Sequence, residues 1–168
     1  MTAAFEVEDA FVGAVMSLPA PIALEALSFV RAEDFADLRL GLVADVSREL
    51  AGRGVDPHPA AVLAHIRAHA LVTGVDAVRD LTRLLADVYG SAPTPAGWRF
   101  YAVAVLEESL RRRCAMLGAR VGQAAEGEPL GSLLALVGHE VQAVREVQDR
   151  RAVAAGDAVP ARLSAVSA

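Results

Sequence analysis

The chain has no lysine and no asparagine; all 16 of its non-histidine basic side chains are arginine. A phosphate-binding P-loop needs its lysine, and imine chemistry needs a lysine amine, so both are excluded across these 168 residues. The bias itself reads as GC-rich coding rather than mechanism. Aromatic residues are also scarce, at 5%, although 54% of the chain is hydrophobic. A core built from Ala, Val and Leu favours closely packed helices over an aromatic-rich sheet. The single cysteine, Cys114, cannot form an internal disulfide, so the fold needs no oxidising compartment. Long apolar runs are missing too. The longest uncharged run, Ala10 to Leu24, is broken by Pro19 and Pro21 and is too short to span a bilayer. The opening MTAAFEVEDAF is acidic where a signal peptide would be basic. A cytoplasmic protein without a membrane segment is expected. The net charge of −5 argues against broad DNA binding, which depends on neutralising phosphates.

Helical periodicity fills most of the chain, and no strand pattern interrupts it. Phe5, Phe11, Val12, Val15 and Met16 predict a first helix ending at Leu18-Pro19. Ile22, Leu24, Leu27 and Val30 predict a brief second one. Glu33 and Asp34 sit where carboxylates favour a helix start. Phe35, Leu38, Leu42, Val46 and Leu50 then form one apolar stripe, stopped by Gly52 and Gly54. Asp56-Pro57 reads as an N-cap followed by proline at the first helical position. Val62, Leu63, Ile66 and Leu71 mark a fourth helix, and Val78, Leu81, Leu84, Leu85 and Val88 a fifth.

The proline- and glycine-rich GSAPTPAG, residues 90–97, is the clearest internal boundary. Two long segments follow it. Tyr101, Val105, Leu106, Leu110, Cys114, Leu117 and Val121 face inward on the first. Leu130, Leu134, Val137, Val141 and Val144 alternate steps of four and three on the second, the seam pattern of side-by-side helices. The short EGEP turn between them implies an antiparallel hairpin. The expected architecture is all-α: a head of about five helices over residues 1–90, a loop at 91–97, a hairpin at 98–151, and a flexible tail at 152–168.

Candidate chemistry is thin. His65 and His69 are four apart and could share a helix face as a metal pair. The intervening Ile66-Arg67-Ala68 lacks the glutamate of a zinc-protease motif and adds a repelling cation. Two partly exposed surface histidines are therefore the expectation, with a small all-α metal- or ligand-binding protein as the rival. His139-Glu140 starts like the same motif but has Ala143 where the second histidine belongs. Cys114 is expected to be a buried structural thiol. Arg111-Arg112-Arg113 is expected to be a solvated face, with Glu107 and Glu108 in ion-pairing reach. Three arginines without interleaved aromatics make a poor nucleic-acid groove. The acidic runs Asp34/Asp37 and Glu6/Glu8/Asp9 read as helix-start acids rather than catalytic pairs. No set of residues forms an active site, and no cofactor is implied. The chain reads as an interaction module.

The order of its pieces is more specific than any one of them. EDAFVGAVM, Glu8 to Met16, resembles the E-x-A-V-L-G-A-h-h opening of the N-terminal domain of DnaB-family replicative helicases. Glu33-Asp34-Phe35 resembles that domain's E-D-F element, and Gly54-Val55-Asp56 its G-V-D element. Tyr101-Ala102, Val105, Glu107, Leu110, Arg111 and Arg112 match its Y-A-x-x-V-x-E-x-x-L-R-R segment. The likeness covers about residues 6–150. It departs where the family continues with Tyr, Asp-Pro and a His-Arg pair; those positions here are Ala36, Asp37-Leu38 and Leu40-Gly41. The resemblance implies a non-enzymatic head and collar hairpin without the ATPase motor. It also implies self-association through the hairpin, or pairing with a helicase collar, and contact with the primase C-terminal region, whose fold is similar. The implied contact residues are Leu106, Leu110, Leu117, Val121, Leu130, Leu134, Val137, Val141 and Val144. A helicase paralogue that has lost its replication partner is a further possibility.

Overall fold

The computed structural model describes residues 3–157, with side chains from Val7 onward. The expectations for Phe5, for Glu6 and for the tail from residue 158 lie outside the described residues. The described residues contain seven α-helices and no strand. They are α1 (Ala3–Val15), α2 (Ala20–Ser28), α3 (Leu38–Gly52), α4 (Pro59–Ala68), α5 (Val75–Gly90), α6 (Trp98–Ala125) and α7 (Leu130–Ala155). Short 3-10 turns at Ala32–Asp34 and Pro95–Gly97 precede α3 and α6. Two compact units divide within α6, between Val105 and Leu106.

In the first unit α1 packs on α2, α3 and α5, α3 packs on α2 and α4, and α4 packs on α5. Phe11, Val12, Ala14, Val15 and Met16 are all buried, and Phe11 meets Phe35 with ring centroids 6.2 Å apart. Small residues bring α2 close to its neighbours: its buried face is Ala20, Ala23, Ala26 and Leu27. Ile22 and Leu24 sit on its outer side, 41% and 39% exposed.

The third helix differs from the predicted stripe. Glu33 and Asp34 belong to the separate 3-10 turn, and α3 starts at Leu38 with Asp37 as its N-cap, accepting from the Arg39 amide at 2.8 Å. That later start turns Leu38 outward, 81% exposed, and leaves Leu42 half-buried; Phe35, Val46 and Leu50 of the predicted stripe are buried, joined by Leu40, Val43, Ala44, Ser47 and Ala51. Gly41 lies against the 3-10 turn: a Cβ there would sit 2.7 Å from the Ala32 carbonyl oxygen. Of the positions that depart from the pattern, Leu40 is filled by core packing and Gly41 by backbone contact, whereas Ala36 and Leu38 are exposed.

The fourth helix is corrected in the same way. Its N-cap is His58 with Pro59 at the first position, not Asp56-Pro57. Asp56 caps a different helix, its Oδ1 accepting from the Ala20 amide of α2 at 2.7 Å. Leu71 lies beyond the end of α4 and is 46% exposed.

Candidate interaction surface

Three carboxylates carry the polar organisation of the first unit, and each belongs to one of the motifs read from the sequence. Glu8 is fully buried. Its two carboxylate oxygens accept from the Ala36 amide at 2.8 Å and the Asp37 amide at 3.2 Å. A buried charge is tolerable only with such partners, and here it ties α1 to the segment that opens α3. Asp34, also fully buried, accepts from the Arg31 amide at 2.8 Å and closes its own turn. Asp56 joins the end of α3 to the start of α2 through the bond described above. Glu8 and Asp56 are brackets between helices, and Asp34 fixes the turn that precedes α3.

Beside Glu8, Asp9 and Asp37 are shifted in opposite directions. Partial burial, then Asp37 and Glu8, raise the Asp9 carboxyl above its ordinary range. The Arg39 guanidinium holds Asp37 below that range, with Nη2 to Oδ2 at 2.5 Å.

The histidine pair lies at the C-terminal end of α4, with His65 facing Glu49 of α3. His65 is buried, against the expectation of partial exposure, because it falls on the α4 face that also carries Val62 and Ile66. Its ring stacks on that of exposed His69 at 4.1 Å. His65 Nε2 faces Glu49 Oε2 at 3.2 Å, and His69 Nδ1 lies 3.0 Å from the His65 carbonyl oxygen. Among the described residues no group of three or more His, Cys, Asp or Glu is placed to hold a metal ion.

The second unit holds the hairpin. Arg151 Nη2 meets Glu107 Oε1 at 2.9 Å, and Arg120 pairs with Glu140. Residue numbers fall along α7 as they rise along α6, so the helices run antiparallel. Among the buried and half-buried positions of α7, Leu133, Val137, Glu140, Val144, Val147, Arg151 and Ala154 follow an alternation of four and three, flanked by half-buried Leu136, Val141, Ala143, Arg150, Ala152 and Val153. This register begins at Leu133, one residue before the predicted Leu134. Val147 and Ala154 are its buried members.

The nine contact candidates separate accordingly. Leu106 is fully buried. Leu110, Leu117, Val121, Val137, Val141 and Val144 are half-buried. Leu130 and Leu134 are 70% and 62% exposed. Together Leu130, Leu134, Val137, Val141 and Val144 lie along one helix face over about 21 Å at 1.5 Å per residue. The stripe is open at its turn end and half-open beyond.

Cys114, expected inside, is exposed. It lies about 80° around the helix from Leu106 at 3.6 residues per turn, at the edge of the arc that one partner helix covers. Glu107 pairs with Arg151 across the hairpin, leaving Glu108 to face Arg111 at 3.6 Å. The residues that sequence reasoning missed are Glu140 and Arg151, polar members of the seam. Only the 4-3 spacing from Leu133 to Ala154 could have signalled them. Among the described residues no helix is long and apolar enough to cross a membrane.

No family model matches the chain, and no curated protein matches it. A solved structure does: the crystal structure of the N-terminal domain of DnaB helicase from Mycobacterium tuberculosis. It is 25% identical in sequence with a TM-score of 0.69, over 82% of this chain and 94% of that one. The chain has an all-α fold like that of a DnaB helicase N-terminal domain.

Proposed function

We propose that this DnaB N-terminal-domain-like chain is a non-enzymatic protein–protein interaction module of DNA replication. It self-associates through its hairpin or pairs with the collar of a DnaB helicase, and so influences helicase–primase assembly in the cytoplasm. The observation that carries this reading is the α7 stripe, where Leu130 and Leu134 are 70% and 62% exposed and lead into half-buried Val137, Val141 and Val144. Burying an exposed leucine contributes about 1.5–3 kcal/mol, and a symmetric pair of stripes contributes each residue twice. The absence of lysine keeps P-loop ATP hydrolysis out of these 168 residues.

Light scattering after size-exclusion chromatography tests the proposal, on the chain alone and mixed with its host's helicase and primase C-terminal region. The expected result is a dimer or larger species, or co-elution with helicase. Leu130→Glu combined with Leu134→Glu should abolish the association while leaving the far-UV circular dichroism unchanged. A chain that is monomeric alone and ignores both proteins would overturn the proposal, as would a doubly substituted variant that associates like the parent.

A further inference from the structure

A second surface lies in the head, independent of the hairpin. Between the end of α4 and the start of α5 an open groove of ≈ 630 Å³ is lined by Ala70, Val72, Val75 and Val78, with Arg67 and Arg79 beside them. The turn that frames it is a helix stop closed by two bonds, Leu71 amide to Ile66 carbonyl at 3.1 Å and Ala70 amide to Arg67 carbonyl at 3.3 Å. Glycine usually occupies the left-handed position of such a stop. Here Ala70 takes it with φ +49°, and among the described residues it is the single non-glycine with positive φ. The chain then turns at Gly74 and presents Val75, 77% exposed, at the start of α5.

We propose that this groove binds an acidic amphipathic segment of a partner protein, its apolar side chains on Val72, Val75 and Val78 and its carboxylates on Arg67 and Arg79. Charge complementarity favours that occupant. Arg67 is exposed and makes no ion pair among the described residues. Arg79 is held at 2.9 Å by Asp76, a carboxylate 87% exposed, which an incoming acid can displace or share. The chain as a whole carries a net charge of −5, so an acidic partner is repelled in general and attracted where arginines rim an apolar trough. Guanidinium groups also suit carboxylates by offering paired donors. An anionic membrane is the weaker fit, because lipid recognition ordinarily draws on a cluster of about 4–8 basic residues, and this groove supplies two.

The test uses the full chain labelled with ¹⁵N and two synthetic peptides: acetyl-EDLLEELLDE-amide and its counterpart with lysine at every acidic position. The expected result is saturable binding of the acidic peptide, with amide shifts concentrated over residues 67–79. Arg67→Glu and Val75→Ser should each weaken that binding tenfold or more. Both positions are exposed, so folding should survive, and the self-association proposed for the hairpin should be unchanged. Three results would overturn the inference: no binding of the acidic peptide, equal binding of the lysine peptide, or shifts confined to the hairpin. Binding to phosphatidylserine vesicles in place of the peptide would also overturn it, assigning the groove to a lipid surface.

Discussion

Replacing Glu8 should destabilise the head more than its place on a short N-terminal helix would suggest. In the folded chain its carboxylate is fully buried and accepts from the Ala36 and Asp37 amides. Hydrogen bonds to a charged acceptor each contribute about 1.5–3 kcal/mol, and a buried donor left without a partner costs about 1–3 kcal/mol. Two effects reduce the sum for Glu8→Ala. Ala36 is exposed, so water can reach part of the vacated site. Glu8 also contributes to raising the Asp9 carboxyl, and removing it relieves that repulsion. The net expectation is a loss of about 2–4 kcal/mol. For a chain of this size that corresponds to a fall in Tm of roughly 5–15 °C. Glu8→Gln preserves the shape and one acceptor but turns a second donor toward an amide, so about half the loss is expected. Urea and thermal unfolding followed by far-UV circular dichroism measure both variants against the parent. If both stay within about 0.5 kcal/mol of it, the amides of Ala36 and Asp37 do not depend on Glu8, and the bracket reading fails.

Asp9→Asn should stabilise the chain at neutral pH, because burial, Asp37 and Glu8 disfavour the ionised Asp9 in the folded state. That penalty is complete above the raised folded pKa, shrinks as pH falls, and is gone below the ordinary value of 3.8. The advantage of the variant should therefore fade on the same path. Asp37, lowered by Arg39, adds stability above 3.8 that is lost in acid, but parent and variant share it and it cancels from the difference. An advantage that persists or grows below pH 3.8 would refute the assignment. Gly41→Ala should destabilise by about 1–3 kcal/mol, because the new Cβ would lie 2.7 Å from the Ala32 backbone oxygen. Without that clash alanine should gain about 1 kcal/mol from helix propensity, so the sign of the change in the urea midpoint decides.

The sequence by itself determined the fold class. Apolar spacing with few aromatics specifies helices, proline and glycine mark their ends, and the short EGEP turn requires α6 and α7 to run back along each other. Those signals are local, and each acts within a few residues of where it is read. The likeness to the helicase domain was legible for a related reason: its motif acids occupy fixed positions in the helix order. Their purposes were not legible. Asp56 looked like the cap of the helix beside it in sequence, whereas it caps α2, 36 residues away. Glu8 looked like a helix-start acid, whereas it accepts from amides 28 and 29 residues further on.

Only tertiary packing decides such partners, because any buried donor within hydrogen-bond distance satisfies a carboxylate, whatever its place in the chain. The same holds for the faces of helices. Leu38 and Leu134 fit a periodic pattern and yet lie exposed, while Glu140 and Arg151 sit in the hairpin seam. A pattern with period near 3.5 admits two registers on one helix. Which of them is buried depends on where the neighbouring helix comes to rest.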